Sequence, residues 1–186
     1  QHTFRPECHP VSPIDPNIVT NDNLPWRYNP EIGGGGNFID MGTHTIDMVD
    51  YLLGPICKYD GFSENKAGLY NAEDTVSANF LTSTGVMGTG QWCYVAGSNV
   101  DRMEIVGTIG AVRFSFFDQE PHELEINGEV QLIEAKNPPY FHQPIIQTAT
   151  DDILKKGTCP SNWENGLRAM RVQDQIMKSF FFNLST

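Results

Sequence analysis

Apolar residues recur at Ile46, Val49 and Leu53, three and four positions apart, with polar residues between them. That period predicts a helix with one buried stripe. Gly54-Pro55 ends it, because glycine accepts the turn past a helix and proline cannot continue one. From residue 56 the period drops to two. The alternation predicts strands over 56–63, 74–83, 86–95, 101–107, 111–117, 122–126 and 129–134. Ser83-Thr84-Gly85, Thr108-Ile109-Gly110 and Asn127-Gly128 supply turns between several of them, the last a strong hairpin signal. Links this short join antiparallel neighbours. The helical period returns at about 142–156, ended by Gly157, and again from Ser161. Ser161-Asn162-Trp163-Glu164 fits a capping box, and Leu167, Met170, Val172, Ile176 and Phe180 supply an apolar face behind it.

The order helix, many strands, two helices predicts an α+β fold: an open, mostly antiparallel sheet with helices packed on one face. Residues 1–30 hold six of the twelve prolines and are expected to form an extended lead-in segment, with the folded domain over 31–186. Trp92, Tyr94, Phe114 and Phe116 fall in the predicted strands. Pointing away from the helices, they would leave a large apolar patch and predict self-association through the sheet face.

Composition narrows the function. The formal net charge of -11 and the lack of a basic stripe argue against a nucleic-acid partner. No apolar run is long enough to span a bilayer, so no membrane partner is expected. Cys8, Cys57, Cys93 and Cys159 are far apart, without a C-x-x-C or Cys/His ligand spacing. No metal is expected, and the thiols are read as buried in a reducing, cytoplasmic compartment. The chain begins without Met, in what reads as a connection, which suggests a piece of a longer protein.

Candidate chemistry concentrates in Gly33-Gly34-Gly35-Gly36-Asn37-Phe38-Ile39-Asp40-Met41-Gly42-Thr43-His44-Thr45-Ile46-Asp47. Asp40, His44 and Asp47 stand four and three positions apart, which puts them on one helical face. Imidazole titrates near neutrality and can take or give a proton. A neighbouring carboxylate orients the ring and stabilises its charged form. The same spacing also suits Asp40 as a helix cap and His44–Asp47 as a surface pair. The glycines lack the G-x-x-x-x-G-K-[ST] and G-x-G-x-x-G patterns, so a flexible turn is the preferred reading over a phosphate cradle. Trp26, Arg27 and Tyr28 precede them. Arginine offers a planar fork of donors to hydroxyl or carboxylate groups, and aromatic faces suit sugar rings. His142 is read as a cap or a core polar residue. Without a G-x-S-x-G elbow, Ser-His-Asp chemistry has no support.

Trp26-Arg27, Pro30-Glu31 and Gly34-Gly35-Gly36-x-x-x-Asp40-x-Gly42-x-His44-x-x-Asp47 resemble the C-terminal domain of the glucose–fructose oxidoreductase / inositol dehydrogenase (Gfo/Idh/MocA) family. Asp47-x-x-Asp50-Tyr51-Leu52-x-Gly54-Pro55, Glu73-Asp74-Thr75-Val76, Gly88-x-Gly90-x-Trp92 and Ile105-x-Gly107-Thr108-x-Gly110 extend the likeness. Gln143-Pro144-Ile145-Ile146-Gln147 and Cys159-Pro160-Ser161 carry it into the closing helices. The resemblance implies a two-domain NAD(P)-dependent enzyme acting on a CH–OH group of a sugar or polyol. Residues 31–186 would then be its substrate-binding and oligomerisation domain.

By that resemblance His44 and Asp40 are the catalytic pair, and Asp47, Arg27 and Trp26 contact substrate. NAD or NADP would be held by an N-terminal Rossmann domain, with a lysine in a Glu-Lys-Pro motif. That domain is absent from this sequence, so the chain alone is expected to bind no cofactor and to be inactive. Expected partners are a sugar-like small molecule, the chain's own Rossmann domain and a second copy through the sheet. Two other classes stay open: NAD-dependent glycoside cleavage, also found in that family, and a non-catalytic binding or dimerisation domain.

Overall fold

The computed structural model describes residues 24–181 and, for the backbone alone, 3–4 and 182–184. Much of the predicted lead-in segment, and Cys8 with it, lies outside the described residues. The elements run β1 (Thr3–Phe4), a 3-10 turn (Trp26–Tyr28), α1 (Pro30–Gly33), a π-helical turn (Phe38–Gly42) and α2 (Thr43–Leu53). Then come β2 (Ile56–Glu64), β3 (Thr75–Thr82), β4 (Met87–Cys93), β5 (Met103–Val106), β6 (Gly110–Phe114), β7 (His122–Ile126) and β8 (Glu129–Ile133). Two helices close the chain, α3 (Gln143–Ile153) and α4 (Trp163–Leu184).

The α+β class is borne out, and the strands divide between two open sheets. One has the order β1-β4-β3-β2, the other β5-β6-β7-β8. Neighbours are antiparallel except β1, which pairs parallel to β4. The break falls between β4 and β5, where residues 94–101 form no strand pairing. Elsewhere the turns predicted from sequence hold the hairpins. Gly85 closes β3–β4 at φ 90°, and Asn127-Gly128 closes β7–β8 at φ 50° and 86°.

Helices α2 and α4 cover one face of the first sheet, with α4 running along β2 and against α2. Phe38, Ile46, Val49, Val76, Ala78, Trp92, Val172, Ile176 and Met177 form one core there. Trp92 and Tyr94 are buried in that core, and Phe114 and Phe116 pack against it. The expected aromatic patch on the open face is therefore corrected. Strand alternation turns Trp92 and Phe114 inward, and Tyr94 and Phe116 pack inward just past the ends of β4 and β6. The opposite face of the first sheet carries Phe62 and Met87, 70% and 72% exposed.

Three further expectations are corrected. The buried side of α4 is Ala169, Val172, Gln173, Ile176 and Met177, whereas Leu167 and Met170 are exposed. The α4 cap is Asn162, whose side-chain oxygen accepts from Glu164 N at 2.9 Å and Asn165 N at 3.2 Å. The shorter hydroxyl of Ser161 lies one position too early to do so. Of the described cysteines only Cys159 is buried; Cys57 and Cys93 are exposed. They sit at positions where β2 and β4 face outward.

Candidate active site

Asn29 starts the site. Its side chain accepts from Glu31 N at 3.0 Å and caps α1, which ends at Gly34 in the left-handed region at φ 81°. Any residue with a Cβ would be strained there. Gly36 is required for a different reason: a Cβ on it would lie 2.5 Å from the Glu73 carbonyl oxygen. The chain then enters the π-helical turn and continues without interruption into α2. Single π turns are rare and recur at functional sites.

Asp40 lies inside the π turn rather than at a cap position, and its side chain makes no capping bond. It faces Arg27 instead, with Nε 3.6 Å from Oδ2 and both side chains half-exposed. The Arg27 guanidinium also stacks over Trp26, 5.4 Å from the ring centroid. Tertiary structure thus joins Trp26, Arg27 and Asp40 into one group.

His44 follows one turn later and is exposed, with Asp47 half-buried behind it. Among the described residues no hydrogen bond holds the His44 ring. Its influence on Asp47 is electrostatic. Burial pushes the Asp47 carboxyl above the usual aspartate range, and Asp50 adds to this, while His44 and Arg168 oppose it. The face carrying Asp40, His44 and Asp47 opens to solvent. The opposite face of α2 lines an apolar cavity of about 100 Å³ through Thr45, Ile46 and Val49, with Trp92, Met103 and Ile105 beyond. His44 does not reach it.

Two residues around this turn were not among the site residues read from the sequence, although Glu73 stood in one of the strand fragments that carry the likeness. Glu73 is fully buried, and its carboxylate accepts from Gly36 N at 2.6 Å and Phe38 N at 3.1 Å. Burial pushes that carboxyl up, against the pull of the amides of Gly36, Ile39 and Phe38. Gln173 is fully buried too and donates to the carbonyls of Phe38 and Ile39 at 2.6 and 3.1 Å. The signals were faint: an acidic residue opening an alternating strand, and an amide inside the apolar stripe of α4.

The glycine run does not fit a dinucleotide pyrophosphate. The amides that would face a phosphate, Gly36 N and Phe38 N, already donate to a carboxylate of this chain. A second anion placed there would meet the first. His142 is exposed at the start of α3 and makes no side-chain cap, contrary to expectation. Among the described residues no group of three His, Cys, Asp or Glu side chains is arranged to hold a metal. No helix among them is long and apolar enough to cross a membrane.

Comparison with known proteins adds a frame. A family model described as the GFO/IDH/MocA C-terminal domain matches residues 9–113. Oxidoreductase P35 from Formosa agariphila is 28% identical over 160 residues, which are 85% of this chain and 48% of that protein. Levoglucosan dehydrogenase in complex with NADH superposes with a TM-score of 0.76 at 21% identity, covering 97% of this chain and 55% of the other. Aldose-aldose oxidoreductase from Caulobacter crescentus, complexed with glycerol, gives 0.76 at 17%, covering 98% and 53%. At these identities the structural likeness shows the shared fold. The chain spans about half the length of the proteins it matches.

Proposed function

The chain belongs to the GFO/IDH/MocA family, an oxidoreductase family, and from that membership we propose that it is the substrate-holding part of an NAD(P)-dependent dehydrogenase. Its substrate is a sugar or polyol oxidised at a CH–OH group. The observation that carries this reading is the solvent-facing stripe of Asp40, His44 and Asp47, with Arg27 and Trp26 drawn against Asp40.

Each side chain has a role that its chemistry suits. His44 Nε2 or Nδ1 takes the hydroxyl proton, and the exposed, unbonded ring leaves both nitrogens open to a ligand. Asp40 accepts a hydrogen bond from a substrate hydroxyl, and Arg27 donates to a second one. Trp26 offers an apolar face to a sugar ring. Asp47, poised above the usual aspartate range, holds the charge that His44 gains. The dinucleotide, bound by a domain outside this chain, supplies the hydride acceptor. The complexes of levoglucosan dehydrogenase with NADH and levoglucosan, and with NADH and L-sorbose, support this reading by analogy.

The test uses the full-length protein. Wild type should reduce NAD(P) with at least one member of a sugar and polyol panel. His44→Ala should lower kcat by about 10²–10⁴, the usual worth of positioned acid–base help, with cofactor affinity unchanged. Turnover within threefold of wild type rejects the assignment. Release of free sugar without net cofactor reduction would point instead to glycoside cleavage.

A further inference from the structure

The π-helical turn Phe38–Gly42 is held from two sides by buried side chains from distant parts of the chain. On one side Glu73 receives Gly36 N and Phe38 N at 2.6 and 3.1 Å. On the other Gln173 Nε2 donates to the carbonyls of Phe38 and Ile39. Thr43 Oγ1 adds a link, 2.9 Å from Gln173 Oε1 and 3.0 Å from the Ile39 carbonyl. Phe38 and Glu73 lie 35 positions apart in sequence, and Phe38 and Gln173 lie 135 apart.

This arrangement is costly to build. A carboxylate and an amide, both 0% exposed, destabilise the fold unless every polar atom is satisfied. Here their partners are almost all backbone groups of one short turn. A helix starting at residue 37 would cover the Phe38 and Ile39 carbonyls through its own ladder without Gln173, whereas the Gly36 and Phe38 amides lie at its start, where no ladder partner exists, and Glu73 caps them. Burial of Phe38, Ile46 and Val49 already anchors the segment in the core. What the clamps add is a fixed start, through Glu73, and fixed carbonyls, through Gln173, for the π turn, and that turn sets the aim of Asp40, inside it, relative to His44, one turn beyond.

We infer that Glu73 and Gln173 are positioning residues for the proposed reaction: they hold the π turn so that the His44 imidazole meets the hydroxyl that loses its proton while the Asp40 carboxylate accepts from a neighbouring hydroxyl of the same substrate. This rests on the roles given above to Asp40 and His44. Neither clamp touches substrate, because neither reaches solvent.

The experiment uses full-length enzyme carrying Glu73→Gln, which keeps size and one acceptor oxygen but turns an amide NH2, a donor, toward the second backbone N–H. Thr43→Val is the milder partner, since it removes one hydroxyl from a half-buried site and serves where Glu73→Gln does not fold. Two quantities are read well below the melting temperature: kcat against cofactor KM, and the ring carbon resonance of His44 by NMR. Displacement of reacting groups by about 1 Å can cost about 10²-fold, so kcat should fall about tenfold or more in Glu73→Gln. Cofactor KM should stay within twofold, and the His44 resonance should move. A simple stability role would leave kcat of the folded enzyme and that resonance alone. A folded variant with an unmoved His44 resonance, or with kcat within twofold of wild type, overturns the inference. If wild type oxidises no sugar, the proposed function fails, and the resonance still decides the clamp.

Discussion

Asp50 and Arg168 stand 118 positions apart and meet in a two-point ion pair, with Nη2–Oδ1 2.6 Å and Nε–Oδ2 3.0 Å. Asp50 is buried on α2 and Arg168 half-exposed on α4. The pair fastens the helix that carries His44 to the helix that carries Gln173. Asp50 also accepts from Ile56 N at 3.4 Å, which ties the start of β2 to the same carboxylate.

Asp50→Ala should therefore destabilise the domain by about 2–4 kcal/mol, toward the lower end of a broken buried pair because Arg168 can turn to water. Denaturant unfolding measures this. A loss below about 0.5 kcal/mol would show that the pair contributes like a surface contact.

Asp47 should behave in the opposite way. Its carboxyl is raised by burial and by Asp50, so folding favours its protonated form. The stability it contributes is complete below the ordinary aspartate range and is lost as pH rises through its raised folded value. At neutral pH it is a liability to the fold. Asp47→Asn should raise Tm by about 2 °C at pH 7 and change it little at pH 3. Activity should fall in the same variant, since sites commonly trade stability for function. Scanning calorimetry at the two pH values, beside a rate assay, checks both halves.

Arg27 pairs with Asp40 across 3.6 Å with both groups more than a third exposed. Such pairs add about 0–1 kcal/mol to stability. Arg27→Lys keeps the charge but loses the flat fork and its stacking on Trp26. It should leave Tm within about 2 °C and raise substrate KM about tenfold, a difference of about 1.4 kcal/mol. An unchanged KM would remove Arg27 from the substrate contacts.

The open face of the first sheet offers Phe62 and Met87 to solvent. Exposed apolar groups clustered on a face mark association surfaces. If copies of the protein meet there, Phe62→Glu should shift sedimentation toward a smaller species without lowering Tm by more than about 2 °C. A wild type that sediments as a monomer at every concentration would dismiss the interface.

The strand reading was accurate because alternation is a local property. Predicted 122–126 matches His122–Ile126, and 129–134 extends one residue past Ile133. The Asn127-Gly128 turn holds for the same reason: its backbone angles are demanded by the two residues themselves. The split into two sheets was not legible. Alternation tells which strands exist but not where one ladder stops, and Gly97-Ser98-Asn99 marks a turn without saying that the ladder ends there. The inward aim of Trp92 and Tyr94 was hidden too, because a period of two fixes alternation and leaves open which face is covered.

The site divides along the same line. Spacing alone put Asp40, His44 and Asp47 on one face, since four and three residues are what a helix repeats. The glycines alone implied a tight turn before it. Bringing Arg27 to Asp40, Arg168 to Asp50, and Glu73 and Gln173 to the two sides of the π turn needed the folded chain. Those contacts span tens of residues, and no local periodicity encodes a partner at that range; only packing α4 and the start of β3 against the turn supplies it.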